Sequence, residues 1–123
     1  MKRKPTDAEL AILAILWKRG PSTVRDVADG LGRDTGYTTA LKLLQIMTEK
    51  RLVVRDESER THVYAAASTE DQTQRQLVAD LLDRAFDGSA TKLVLQALSS
   101  RKTSREELDE IRKLLDSRSG GRS

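Results

Sequence analysis

The apolar spacing of this chain changes period twice, and that limits the folds open to it more than any single residue does. Apolar side chains recur at helical spacing through residues 7–50, fall into two short β-prone runs over 52–65, and return to helical spacing from 68 to 117. The order is therefore three helices, a hairpin and three more helices. This predicts a mainly α fold with a small β-hairpin: a winged helix-turn-helix followed by a C-terminal helical dimerisation region. The expected divisions are a winged-helix domain over 1–66, a helical region over 67–117 and a flexible tail over 118–123.

Local signals place each element. Thr6-Asp7-Ala8-Glu9 reads as a capping box, in which the Thr6 hydroxyl accepts from the Glu9 amide while the Glu9 carboxylate reaches back to the Thr6 amide. A helix over 7–19 follows, with Leu10, Leu13, Ala14, Leu16 and Trp17 on its inner face and Arg19-Gly20-Pro21 as its stop. Ser22 is the expected cap of a short second helix carrying Val24, Val27, Ala28 and Leu31, closed by Gly30 and Gly32. Thr35 is the expected cap of a third, over 37–50. Its apolar stripe is Ala40, Leu43, Leu44 and Met47; the opposite stripe carries Tyr37, Thr38, Thr39, Lys42 and Gln45. The runs 52–55 and 61–65 read as strands joined by the charged turn 56–60. Trp17 is expected as a core side chain and His62 as a strand residue without special chemistry.

Beyond Ala67, a cap at 68–71 opens a helix with Leu77, Val78, Leu81, Leu82, Ala85 and Phe86 on one stripe, ended by Asp87-Gly88. Ser89 caps a helix with Leu93, Val94, Ala97 and Leu98, and Thr103 or Ser104 opens one with Leu108, Ile111, Leu114 and Leu115. Three amphipathic helices in so short a unit carry more apolar surface than they can bury on themselves. A second copy of the chain is the expected cover, through Leu77, Leu81, Phe86, Leu93, Leu98, Leu108 and Ile111.

Composition narrows the chemistry. With no Cys and one His in 123 residues, disulfides, thiolate zinc sites and Cys nucleophiles are excluded, and the usual bases and metal ligands are nearly absent. No catalytic residue, metal or cofactor is expected. The longest apolar run, from Leu10 to Trp17, is eight residues, against about 18 needed to span a bilayer. No membrane insertion is expected, and a cytoplasmic location follows as the default. The net charge of +3 lies wholly in the first half, where 12 Lys and Arg face 9 Asp and Glu over residues 1–66. A local basic surplus of this kind is the footprint of a polyanion-binding surface.

In a winged helix the third helix enters the major groove and the hairpin reaches toward backbone or minor groove. Thr38 and Thr39 offer hydroxyls and methyls to base edges or phosphates, Lys42 lies one turn further on, and Tyr37 can bond a phosphate from the helix start. Arg55 and Arg60 add charge at the wing. Double-stranded operator DNA is the expected partner, bound by a homodimer and read as a palindrome. The rival from another class is a winged-helix module that uses the same surfaces on a protein.

The residues carry a resemblance as well. Asp7-Ala8-Glu9-Leu10 through Leu16-Trp17, then Gly20-Pro21, Val24-Arg25-Asp26-Val27, YTTALKLLQIMTEK, the LVV run and His62-Val63-Tyr64 resemble the penicillinase-repressor family of the BlaI/MecI/CopY type. The resemblance is specific over 7–64 and looser beyond. It implies a homodimeric bacterial repressor whose recognition-helix contacts fall on Thr38, Thr39 and Lys42. Two positions depart from the pattern: Ile46 stands where Arg is common, and Arg51 where Gly is common after the helix. The copper-responsive branch ends in Cys motifs, so the absence of Cys excludes that mode of sensing. The penicillinase branch further implies a membrane sensor protease system and relief of repression by a cut in the dimerisation region. By position that bond falls near Gln96-Ala97, although the family's Asn-Phe type pair is absent here.

Overall fold

A computed structural model describes residues 4–120. The elements run α1 (Asp7–Arg19), α2 (Val24–Leu31), α3 (Tyr37–Glu49), β1 (Val53–Asp56), β2 (Val63–Ala66), α4 (Glu70–Ala85), α5 (Ala90–Ser100) and α6 (Arg105–Gly120). By internal contacts the chain forms two compact units, one ending at Val78 and one beginning at Ala79.

The first unit is a winged helix. α1 starts at the expected capping box: the Glu9 amide donates to Thr6 Oγ1 at 3.2 Å and the Thr6 amide donates to Glu9 Oε1 at 2.8 Å. Its inner face differs from expectation. Glu9, Ile12, Leu13 and Leu16 are buried, while Ala14 is exposed and Leu10 and Trp17 sit at the margin. The set 9, 12, 13, 16 is the true i, i+3, i+4, i+7 stripe, and choosing it requires placing a carboxylate inside.

Ser22 does not cap α2. Its amide and carbonyl pair with Tyr64 of β2 at 2.9 and 2.8 Å, adding a one-residue bridge to the hairpin edge. Thr23 caps instead, in a reciprocal box with Asp26 in which both bonds are 3.1 Å. Thr35 is likewise displaced as cap of α3 by Gly36, which has no side chain to offer. Thr35 sits in the preceding turn, its amide on the Gly32 carbonyl at 3.3 Å.

α3 ends in a Schellman motif: the Leu52 amide returns to the Met47 carbonyl at 2.9 Å and the Arg51 amide to the Thr48 carbonyl at 3.1 Å. This geometry puts Arg51 at φ 64, the left-handed region that favours glycine. β1 and β2 are antiparallel, with Val53 opposite Ala66 and Arg55 opposite Tyr64. The strands start one to two residues later than the apolar runs, which leaves His62 just outside β2.

The core of this unit is Ile12, Leu13, Leu16, Val24, Val27, Ala28, Ala40, Leu44, Met47, Val53 and Tyr64. α2, α3 and the hairpin pack on α1, holding the polar face of α3 outward. Trp17 lies at the edge of this core and donates its indole N–H to the Ser68 carbonyl at 2.9 Å, tying α1 to the segment that leads into α4.

α4, α5 and α6 begin at side-chain caps from Thr69, Ser89 and Ser104. α6 continues to Gly120, three residues past the expected end at 117, because no breaker intervenes before Gly120-Gly121; residues 121–123 of the expected tail lie outside the described residues. No residue from 67 to 119 is buried.

Candidate nucleic-acid interface

The exposed face of α3 is fixed by its buried one. Ala40, Leu44 and Met47 point into the core with no exposed surface, so Tyr37, Thr38, Thr39, Lys42 and Gln45 stand in solvent. The four expected contact residues of α3 therefore lie together on one accessible surface, at its N-terminal half. Tyr37 is 50% exposed. Ile46, in the position where the resemblance calls for Arg, is also exposed.

The hairpin does not gather its two arginines at one place. Arg60, in the turn, lines a cleft that runs between α2, α3 and the wing, together with Thr23, Arg25, Tyr37, Thr61 and His62. Arg55 lines a different hollow with Thr48, Arg51, Glu57 and Ala67. Its guanidinium is engaged: Nε donates to Glu57 Oε2 at 2.9 Å and Nη2 lies 2.9 Å from the same oxygen. The side chain of Tyr64, its cross-strand partner, and the charge of Glu57 both raise its pKa above the ordinary arginine value. Glu57 also lies 3.8 Å from His62 Nε2.

The wing is thus not simply basic. Asp56, Glu57 and Glu59 accompany Arg55, Arg60 and His62 over 55–62. Asp56 is taken up by the turn, accepting from the Ser58 amide at 2.9 Å, a bond that lowers its pKa.

Arg25 is a charged residue beside this face that sequence reasoning did not single out. It sits in the first turn of α2, and its guanidinium carbon lies 5.8 Å from the centroid of the Tyr37 ring. Only the packing of α2 on α3 brings positions 25 and 37 together. A usable signal did exist, because Arg25 lies on the outer side of α2, opposite Val24, Val27 and Ala28, on the element that precedes α3.

The residues proposed for dimerisation are all incompletely covered. Leu77, Phe86, Leu93, Leu98, Leu108 and Ile111 are half-buried and Leu81 is 46% exposed. Val78, Val94, Leu95, Leu114 and Leu115 add further exposed apolar surface. Exposed apolar side chains in this number are a signal of a surface that meets a partner. Among the described residues no group of three or more His, Asp or Glu is placed to hold a metal, and no helix is long and apolar enough to cross a membrane.

Several known proteins are similar to this chain. The penicillinase-repressor family model matches residues 5–117. The transcriptional regulator BlaI of Mycobacterium tuberculosis (strain CDC 1551 / Oshkosh) is 34% identical over 112 residues, covering 89% of this chain and 80% of that protein. The penicillinase repressor of Bacillus licheniformis is 24% identical over 120 residues, covering 94% of each. Among solved structures, the homodimeric winged helix-turn-helix DNA-binding domain of a possible ArsR-family regulator from Mycobacterium bovis matches at 24% identity and a TM-score of 0.44, over 66% of this chain and 72% of that one.

Proposed function

The chain belongs to the penicillinase-repressor family, and from that premise we propose how it represses. It is a DNA-binding transcriptional repressor and not an enzyme. It acts in the cytoplasm as a homodimer, placing α3 of each protomer in the major groove of one half of a palindromic operator. Thr38, Thr39 and Lys42 face base edges and nearby phosphates, Tyr37 and Arg60 the sugar-phosphate backbone, and Arg55 a phosphate once Glu57 releases it.

The observation that carries this reading is the face of α3. A recognition helix needs a polar, unobstructed stripe held rigidly by a buried one, and Lys42 stands on that stripe while Leu44 is fully buried. The exposed apolar residues of α4–α6 support the homodimer, with residues 67–117 as its dimerisation region. Two recognition helices related by a two-fold axis then match a palindrome.

Relief of repression is proposed to come from proteolysis in the dimerisation region under a membrane sensor protease system. Gln96 and Ala97 lie in α5, exposed, in a helix with no buried residue, which favours local opening. A cut there separates the two winged helices, and loss of linked binding weakens the whole by about 10² to 10⁴. Immunoblotting the chain before and after induction checks this: a shortened chain is expected, and full-length chain with a vacated operator rejects it.

The DNA reading is tested by selecting bound duplexes from a random pool with the full chain. An inverted repeat is expected. A pool that yields no enriched sequence, with binding indifferent to salt, rejects the proposal in favour of a protein-interaction module.

A further inference from the structure

Resting on the DNA reading above, we propose that the cleft between α2 and the wing is a second seat for the DNA backbone, in which Arg25, held by the ring of Tyr37, grips a phosphate diester. The observation is two arginines facing one cleft, with Glu57 3.8 Å behind His62 and Asp29 in the adjoining hollow that Arg25 and Tyr37 also line. The cleft is lined by Arg25 from α2, Tyr37 from α3, and Arg60 and His62 from the wing, with no carboxylate in its wall. Thr23 and Thr61 supply hydroxyls at its margin.

Neither neighbouring acid forms an ion pair with Arg25, although Asp29, one turn further along α2, lines a hollow with it. Asp26 turns back to the start of α2, accepting from the Thr23 amide at 3.1 Å, and its helix position is further tied by Arg19, whose Nη1 donates to the Asp26 carbonyl at 3.0 Å. Among the described residues no ion pair reaches Arg25 or Arg60. An uncancelled guanidinium is ordinarily free to swing. Here the Tyr37 ring, 5.8 Å from the guanidinium carbon, gives it a platform at the first residue of the recognition helix. A guanidinium kept beside an aromatic ring retains free N–H groups for a two-pronged contact with phosphate oxygens.

Tyr37 thereby does more than bond the backbone itself: it positions Arg25. The charge is delivered beside α3, where a strand leaving the major groove must pass. Because the contact is to phosphate, it fixes the depth and register of α3 without reading sequence.

The test is the salt dependence of binding by the full chain to a duplex of random sequence, which needs no operator. Wild type is compared with Arg25→Ala, Arg25→Lys, Tyr37→Phe and Tyr37→Ala. Arg25→Ala should flatten the slope of log affinity against log salt by about 0.9 for each protomer's phosphate, leaving the melting temperature unchanged. Arg25→Lys should restore the slope but not the full affinity. The loss on Arg25→Ala should persist in a Tyr37→Phe background, which keeps the ring, and shrink in a Tyr37→Ala background. An unchanged slope in Arg25→Ala, in a chain where Lys42→Ala still weakens binding, overturns this inference and leaves the DNA reading standing. Equal loss from Arg25→Ala in all backgrounds overturns the positioning role of Tyr37. A wild-type chain with no salt-dependent binding overturns both proposals together.

Discussion

Lys50 Nζ lies 2.6 Å from Glu9 Oε1, joining the end of the recognition helix to the first turn of α1 across 41 residues of sequence. The Glu9 residue is 2% exposed. The same oxygen accepts from the Thr6 amide, so one carboxylate caps α1 and anchors α3. Burial pushes the Glu9 pKa up, but the Lys50 hydrogen bond and charge, with the bonds from Thr6, outweigh it and leave the pKa below the ordinary value of 4.5.

Lys50→Met should therefore destabilise the winged helix, by about 3 kcal/mol, because it strands a buried carboxylate without its cation. The double variant Glu9→Gln/Lys50→Met should recover much of the loss. The pH dependence follows in sign: a carboxylate with a depressed folded pKa contributes stability that is complete above its unfolded value and is lost as pH falls through the folded one. Urea unfolding of wild type should weaken from about pH 4.5 downward, and the double variant should weaken less over that range. Parallel curves would count against the pair.

Arg51→Gly should raise stability by about 1 kcal/mol. The Schellman turn after α3 holds position 51 at φ 64, a conformation that costs a non-glycine residue strain and glycine almost none. A melting temperature at or below wild type, with DNA affinity retained, contradicts this. Reduced affinity alone would instead mean that the Arg51 side chain touches DNA.

Lys42→Ala and Leu44→Ala should separate binding from folding. Lys42 is exposed, so its loss should cost about 1–3 kcal/mol of operator affinity with little change in stability if it reads a base. Leu44 is fully buried, so its truncation should cost about 2–5 kcal/mol of stability. Fluorescence-monitored unfolding and operator titration on both variants check the pair. A Lys42→Ala chain that binds as tightly as wild type means α3 does not enter the groove.

Glu57→Gln should tighten DNA binding. Glu57 occupies the Arg55 guanidinium at 2.9 Å, so a phosphate must displace it before Arg55 can bind. Removing the competing charge should add up to one phosphate contact per protomer, a steepening of the salt slope by about 0.9. An unaltered slope places Arg55 outside the DNA contact.

Leu81→Asp should convert the dimer to monomer in sedimentation at micromolar concentration while the winged helix melts normally. Leu81 is 46% exposed in the isolated chain, and a charge there would have to be desolvated in any apolar interface. A variant that still sediments as a dimer excludes Leu81 from the contact.

How much of this was legible in the sequence differs by element. The capping boxes and apolar stripes are local, and they marked all six helices and the hairpin because cap geometry and helical period depend on residues three and four apart. The errors came where two local readings competed. Ser22 and Thr23 are both good caps, and Tyr64, 42 positions away, decided between them by taking the Ser22 backbone into a bridge. Thr35 met the propensity for a cap, but the turn closed one residue later at Gly36. Leu10 and Ala14 looked better placed for a core than Glu9, since no local rule foresees that a lysine 41 residues on will compensate a buried charge.

The candidate site divides in the same way. Periodicity alone put Thr38, Thr39 and Lys42 on the outer face of α3, because that face is simply the one opposite Ala40, Leu44 and Met47. The seat of Arg25 on Tyr37, the capture of Arg55 by Glu57 and the separation of Arg55 from Arg60 were decided only by the tertiary structure. Periodicity is a property of neighbours along the chain and is complete before folding. Which charges remain free to meet a phosphate depends on distances of a few ångströms between elements, set by the packing of α2 and the wing around α3.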